Sequence, residues 1–596
     1  MRLGLPSAPR QCALTRQRRR TLESLERRDL MSADAVLDWN AVALKAVAND
    51  HTAAIVAHAD QGGPTRSARA LAIVHAAVFD AVNAIDHSYK PFLVKLQVPR
   101  FVSIDAAASQ AAYTTLVALY PQQKAMFNQA LRTSLAAIPD GISEFTGIAL
   151  GRYVANRVLQ SRKNDGSELM PGYTEGTDPG DHRVDPLHPT QGYLTPDWGM
   201  VKPFTMANST DFDAPPPPAL TSQEYAVAFN QVKSLGGDGV NTPTQRTAEQ
   251  TEIGLYWAYD GVAGLGTPPR LYNQIARVIA AQQGNSEVQN ARMFALVNMA
   301  MADAGCSGWN TKFEHNFWRP ILGVREADAG TGPSGLGDGN PATIGDPNWT
   351  PLGAPASNQS GTDFTPPFPS YTSGHAIFGG AAFKTLANFY GRDNIRFSFT
   401  SDELNGVTTD ANGVVRPKAT RTFNSFSQAA AENAASRIYL GIHWSFDAIQ
   451  GVKSGNAIAD HMFSTMLTPR EGRNTLPIPA GVRNFLAHAR AEIQEGLANA
   501  LGGATVVDQS QVRVGLGLGL ASSLPRIANA QLLAPAVAAS NSSTAHSAGS
   551  AAQVSSTTTK AQAVQTLNVG AVSLLGLRRL TPAATPTHVD AAFGSF

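Results

Sequence analysis

The amino-acid sequence predicts an all-α protein made of two helical bundles, with long irregular loops between and within them. Apolar residues recur at three- and four-residue spacings along most of the chain, the period of a helix with one buried face. Glycine and proline gather instead in two stretches, near 165–220 and 331–363, where a helix cannot propagate. The chain has 596 residues, and one core rarely grows beyond roughly 250 to 300 residues before the chain divides. With 43% hydrophobic residues, 25 Phe and 7 Trp, there is material to fill two cores.

Residues 1–33 are basic, with RQRRR ahead of LESLERRDLMSA, and they lack the apolar core of an ordinary secretory signal. A disordered basic leader is expected there. The first bundle is assigned to 34–215. In ARALAIVHAAVFDAVNAI, Leu71, Val74, His75, Val78 and Val82 share one helical face, and SQAAYTTLVALY and EFTGIALGRYVANRVL follow. The run DAPPPPAL closes this half, because consecutive prolines carry no backbone donor.

The second bundle is assigned to 216–480, with helices at TAEQTEIGLYWAYDG, PRLYNQIARVIAAQQ, SEVQNARMFALVNMAMADAGCSGW, SGHAIFGGAAFKTLANFYG and SFSQAAAENAASRIYLGIH. Residues 481–596 are expected to form a terminal helix and then an Ala/Ser/Thr-rich tail with little to bury. A net charge of +1 offers no global field for nucleic acid or a membrane surface, so any anion site must be local. No membrane span and no nucleic-acid partner are expected. Cys12 and Cys306 lie far apart, which excludes a disulfide framework.

Three segments place cationic or donor groups where an oxyanion could be held. In KFEHNFWRP, Lys312 and Arg319 stand seven positions apart, close to two helical turns, and would project to the same side before Pro320 ends the helix. In PSYTSGHA, Ser373, Gly374 and His375 precede an Ala-rich helix whose first backbone N–H groups have no intrahelical acceptor. In SRIYLGIHWSFD, Arg437 is followed by His443, and Asp447 lies four residues further on, placed to accept from the far ring nitrogen. Each segment also has a plain structural explanation: a solvated helix face, a helix cap, a core histidine. Three cations together are more than a core tolerates unpaired, and a multiply charged oxyanion would resolve that.

The patterns K-x6-RP, SGH and SR-x5-H-x3-D resemble the signature shared by vanadium-dependent haloperoxidases and the type 2 phosphatidic acid phosphatase superfamily. WNTKFEHNFWRPILGVRE, FPSYTSGHAIFGGAAF, ENAASRIYLGIHWSFDA and, upstream, YWAYDGVAGLGTPPRLYNQI are similar to the chloroperoxidase-type members, over roughly 250–455. The resemblance implies two helical bundles of the vanadium chloroperoxidase type and a vanadate cofactor, with phosphate able to take its place. Thr372 departs from the family's usual Pro before Ser-Gly-His, which removes a rigid constraint on the turn.

Carried over residue by residue, the resemblance implies that His443 ligates vanadium and that Asp447 orients its ring. Lys312, Arg319 and Arg437, with Ser373 and the Gly374 amide, would hold the oxygens, and Asp260 would hold one of the arginines. His375 would be the acid–base residue, and Lys312 would polarise peroxide for attack by halide. Trp309 and Phe368 would line the halide pocket and lean it towards chloride as well as bromide, or simply pack its wall. Hydrogen peroxide, halide and a small organic acceptor are the implied partners.

One rival is an acid phosphatase of the same superfamily, with His443 as a nucleophile forming a phosphohistidine. Another is a non-catalytic surface protein that only sequesters an oxyanion. LESLERRDLMSA resembles a short leader of some bacterial exported and surface proteins, which implies export or a cell-surface location.

Overall fold

A computed structural model describes residues 34–169 and 172–470, which fall within one compact unit. The leader 1–33, with Cys12, and the terminal helix and tail expected over 481–596 lie outside the described residues. Asp34 starts α1 (Ala35–Asp50) by accepting the Leu37 N–H, and Pro64 opens α2 (Pro64–Asp86), where a missing N–H costs nothing. The chain continues through α3 (Ile104–Leu119), α4 (Lys124–Leu135) and α5 (Ile142–Ser161). The Gly/Pro-rich stretch to residue 222 follows, irregular apart from two short 3-10 turns.

Beyond it come α6 (Gln223–Leu235), α7 (Ala248–Tyr256), α8 (Pro268–Gln283), α9 (Glu287–His315) and the short α10 (Pro320–Arg325). The long Gly/Pro-rich loop then leads to α11 (Gly374–Tyr390). An antiparallel hairpin, β1 (Phe397–Thr400) with β2 (Thr420–Phe423), pairs Phe397 with Phe423 and is an exception to the all-α expectation. α12 (Phe426–Tyr439) and α13 (Ser445–Thr465) complete the described elements. The fold is otherwise helical, as the periodicity predicts.

One hydrophobic cluster runs from Ala35 in α1 to Leu467 after α13. α2 is long and apolar enough to cross a membrane by length and composition, yet its apolar stretch is wholly buried, packed between α3 and α9. With 29 residues, α9 spans about 43 Å at a rise of about 1.5 Å per residue, and it carries Trp309 and Lys312 from this core to the site. α11 and α13 cross closely because glycines face the contact. A Cβ on Gly455 would sit 2.3 Å from the Ile377 carbonyl oxygen, and one on Gly451 2.9 Å from that of Ser373. The two helix starts are thereby drawn together, and the Ser373 N–H donates to the Asp447 carbonyl at 3.0 Å.

Two further details differ from the sequence expectation. Lys312 and Arg319 do not share a helix: α9 stops at His315, Asn316 turns the chain in the left-handed region (φ 49°), and Arg319 caps the start of α10. Pro320 therefore opens a helix instead of ending one, as its fixed φ and missing donor favour. The helix expected to run through His443 ends at Tyr439. Gly441 takes φ 73° there, where a Cβ would meet the Gly236 carbonyl oxygen at 2.5 Å. His443 is thus presented from the turn between α12 and α13.

Candidate active site

Of the residues singled out in the sequence, Asp260, Trp309, Phe368, Gly374, His375, Arg437 and His443 line one cavity of about 280 Å³; Lys312, Arg319, Ser373 and Asp447 do not line it but bond to the residues that do or to their neighbours. Lys312, in the last turn of α9, is fully buried, and its Nζ donates to the carbonyls of Pro369 (2.8 Å), Ser370 (2.9 Å) and Thr372. Burial, and then the Arg319 charge, push its pKa well below the ordinary lysine value. Three carbonyl acceptors oppose that, since only the protonated amine has three N–H to give. Lys312 thus pins the turn that Thr372, in place of proline, leaves less constrained. Its charge also lies over the Phe368 ring, 5.1 Å from the centroid.

Arg319 donates through Nε to the Phe368 carbonyl (2.9 Å) and through Nη1 to the Ile442 carbonyl (2.8 Å) and His443 Nε2 (2.9 Å). Arg437 donates through Nη2 to Asp260 Oδ1 at 2.6 Å. Asp260 therefore holds one of the arginines. The remaining donors are informative: Arg319 Nη2, Arg437 Nε and Arg437 Nη1 are buried and have no hydrogen-bond partner. Buried guanidinium donors are costly to leave unmade, so three of them mark a place built for an anion.

His443 and Asp447 form a bonded pair, Nδ1 to Oδ2 at 2.8 Å. The same carboxylate oxygen accepts from the Trp444 N–H at 3.0 Å and from the Ser370 hydroxyl. Burial pushes the Asp447 carboxyl up to about 7, and burial with the surrounding Arg319, Lys312 and Arg437 charges holds His443 well below the usual histidine value. The ring is neutral. With its proton on Nδ1 towards Asp447, Nε2 accepts from Arg319 Nη1, and the lone pair that does so is the form a metal centre or an electrophilic phosphorus requires.

Ser373 caps α11, its hydroxyl accepting the Ala376 N–H at 3.4 Å, and the first amides of this helix have no intrahelical acceptor. His375 is buried and lines the cavity, with Nε2 against the Ala258 carbonyl at 2.5 Å. A carbonyl only accepts, so the proton resides on Nε2 and Nδ1 is left as a base. Burial, and then the Arg437 charge, lower the His375 pKa well below its ordinary value. Trp309 and Phe368 pack with centroids 4.9 Å apart.

Known proteins share the sequence and the fold of this chain. Residues 292–472 match the family described as the VCPO second helical-bundle domain. The chain is 34% identical over 510 residues to the vanadium chloroperoxidase of Curvularia inaequalis, spanning 72% of this chain and 81% of that protein. The chain belongs to the vanadium-dependent haloperoxidase family. Among solved structures, a bacterial vanadium-dependent iodoperoxidase superposes with a TM-score of 0.59 at 23% identity, covering 74% of this chain and 99% of the other. The holo form of a bacterial vanadium-dependent chloroperoxidase does so with a TM-score of 0.50 at 15% identity, over 67% and 91%. These two share the fold. The donor set fits the family's cofactor: the unpaired guanidinium donors suit the oxygens of vanadate, and His443 Nε2, which accepts from Arg319 Nη1, is a nitrogen of the kind that ligates a metal.

Several positions around the cavity carry no signal in the local sequence. Ala258 acts through its backbone oxygen alone, and Ser370 through a bond to Asp447 across the site. Gln191, Leu194, Phe364 and Thr267 reach the cavity from irregular segments without periodicity to mark them. Only the quoted PSYTSGH segment hinted at Ser370, as a turn residue.

Proposed function

We propose that this chain binds vanadate in the cationic cavity and uses hydrogen peroxide to oxidise bromide, and chloride as well, to hypohalous acid or its equivalent. The observation that carries the reading is the set of three buried, unpaired guanidinium donors beside a neutral histidine whose Nε2 bears a lone pair. His443 would hold vanadium. Arg319, Arg437, Ser373 and the Gly374 amide would hold the oxygens, with Lys312 adding its charge and fixing the 369–372 turn. Vanadate, when bound, supplies a pentavalent Lewis acid that activates peroxide.

The remaining chemistry belongs to the chain. His375, its tautomer set by Ala258, takes a proton at Nδ1 and returns it. Asp260 keeps Arg437 aimed, Asp447 keeps His443 in its Nδ1–H form, and the Trp309–Phe368 pair gives the halide a dry, polarisable wall. The family's usual leaning to chloride with an aromatic at position 368 supports the wider halide range. The LESLERRDLMSA leader supports an exported or cell-surface location.

The deciding experiment supplies vanadate, peroxide and bromide and measures bromination. Turnover is expected, and it should fall about 100-fold or more in His375→Ala, the usual worth of a positioned acid–base group. Hydrolysis of a phosphate monoester without any halide oxidation would instead make the protein a phosphatase acting through His443. Oxyanion binding without turnover of halide or phosphate monoester, and unchanged in His375→Ala, would reduce it to an oxyanion-binding protein.

A further inference from the structure

The short turn after α7 carries two of the groups that aim the site. The Ala258 carbonyl accepts from His375 Nε2 at 2.5 Å, and Asp260, two residues on, accepts from Arg437 Nη2 at 2.6 Å. Between them Tyr259 lies in the left-handed region, with φ 50°. That conformation is costly for a bulky side chain and persists only where the surroundings over-determine it.

Three consecutive residues at the end of β1 supply that constraint. Ser401 donates its hydroxyl to the Tyr256 carbonyl (2.7 Å), the Asp402 N–H donates to the Tyr259 hydroxyl (2.8 Å), and Glu403 Oε1 accepts the Tyr259 N–H (3.1 Å). Glu403 is fully buried, and its Oε2 accepts from Arg416 Nη1 and from the Ser357 hydroxyl, each at 2.6 Å. Arg416, further along the β1–β2 connection, therefore fixes one oxygen of the carboxylate while the other meets Tyr259. A buried ion pair adds little stability of its own, because the loss of hydration offsets the attraction. Its effect here is to place one acceptor oxygen against one strained amide.

We propose that Glu403 is a positioning residue of the active site: it holds the Tyr259 amide so that Ala258 is aimed at His375 and Asp260 at Arg437. Proton transfer and anion affinity, which belong to different side chains, are thereby tied to one backbone turn. Glu403 acts in this way on whatever oxyanion the cavity holds, and its effect on turnover rests on the haloperoxidase reading.

Two double variants isolate the contact with Tyr259. In Glu403→Gln/Arg416→Met the amide oxygen can still accept the Tyr259 N–H while the amide nitrogen donates to Ser357 Oγ. In Glu403→Leu/Arg416→Met the ion pair is equally absent, and Glu403's oxygen is lost to the Tyr259 N–H. Calorimetric titration of the full chain with orthovanadate measures affinity, and bromide oxidation at saturating vanadate measures kcat. The glutamine variant should stay within about threefold of wild type in both, and the leucine variant should lose about tenfold or more in each, the usual worth of a partner that orients a ligand-holding group. Equal losses in the two double variants, or no loss in either, would mean that Glu403 serves only to pack the protein, and the proposal is overturned. If the leucine variant does not fold, Glu403→Gln alone carries the test. With Arg416 in place its amide turns a donor towards a donor in either orientation, so vanadate affinity should again fall about tenfold, and an unchanged affinity overturns the proposal. A wild type that binds vanadate but oxidises no bromide would overturn the haloperoxidase reading instead, and the titration would still decide the role of Glu403.

Discussion

Replacing Arg437 with methionine separates the two demands placed on a buried cation. In the anion-free protein, Arg437 gains one bond to Asp260 at 2.6 Å and leaves Nε and Nη1 unpaired. Each unmade buried donor costs about 1–3 kcal/mol, so methionine relieves about 2–6 kcal/mol. Breaking the pair with Asp260 costs about 3–5 kcal/mol. These nearly cancel, and the anion-free variant should unfold within about 2 kcal/mol of the wild type. Binding is another matter. Two charge-assisted hydrogen bonds at about 1.5–3 kcal/mol each amount to about 3–6 kcal/mol, or two to four powers of ten in affinity. Titration of the purified chain with orthovanadate, read by calorimetry, and chemical unfolding in its absence measure the two quantities. Vanadate affinity within threefold of wild type would show that these donors do not face the anion, and the reasoning would fall.

Three further outcomes test other links. Asp447→Asn offers an amide N–H to His443 Nδ1, drives the ring proton to Nε2, and should weaken vanadate binding about 10- to 100-fold, read in the same titration. Glu287, at the start of α9, is pushed up to about 9 by burial and by Asp105 and Asp34, against an ordinary value of 4.5. Across that window the folded chain binds more protons than the unfolded one, so stability falls as pH rises from 4.5 to about 9. Glu287→Gln should flatten this slope in denaturant unfolding followed against pH. Gly455→Ala puts a Cβ 2.3 Å from the Ile377 carbonyl oxygen, and the α11–α13 contact should part at a cost of about 1–3 kcal/mol, with weakened vanadate binding because Ser373 and Asp447 separate.

The candidate site was legible in the sequence because an anion site asks for particular residue types. Lys312, Arg319, Ser373, Arg437 and His443 each stand in a short segment whose cations, helix start or histidine–aspartate spacing has a direct physical meaning. The helices of the core were legible for the same reason, since a buried face imposes its period on neighbouring residues. Where a backbone departs from its period, the pattern is silent. The break at Asn316 and the stop at Gly441 depend on contacts with distant segments, Gly441 on the Gly236 carbonyl above all. The β1–β2 hairpin pairs strands of only four residues, too short for an alternating pattern to stand out.

The sequence by itself determined the helical class, the residue types gathered at the candidate site and the His443–Asp447 pairing, because each follows from residue types within a few positions of one another. Tertiary structure alone decided which donors remain unpaired, that Lys312 spends its hydrogen bonds on the 369–372 turn, that Ala258 sets the His375 tautomer, and that Gln191 and Thr267 meet in one cavity. Those facts are differences between groups brought together from far along the chain. A hydrogen bond left unmade exists only once everything that could have made it is in place.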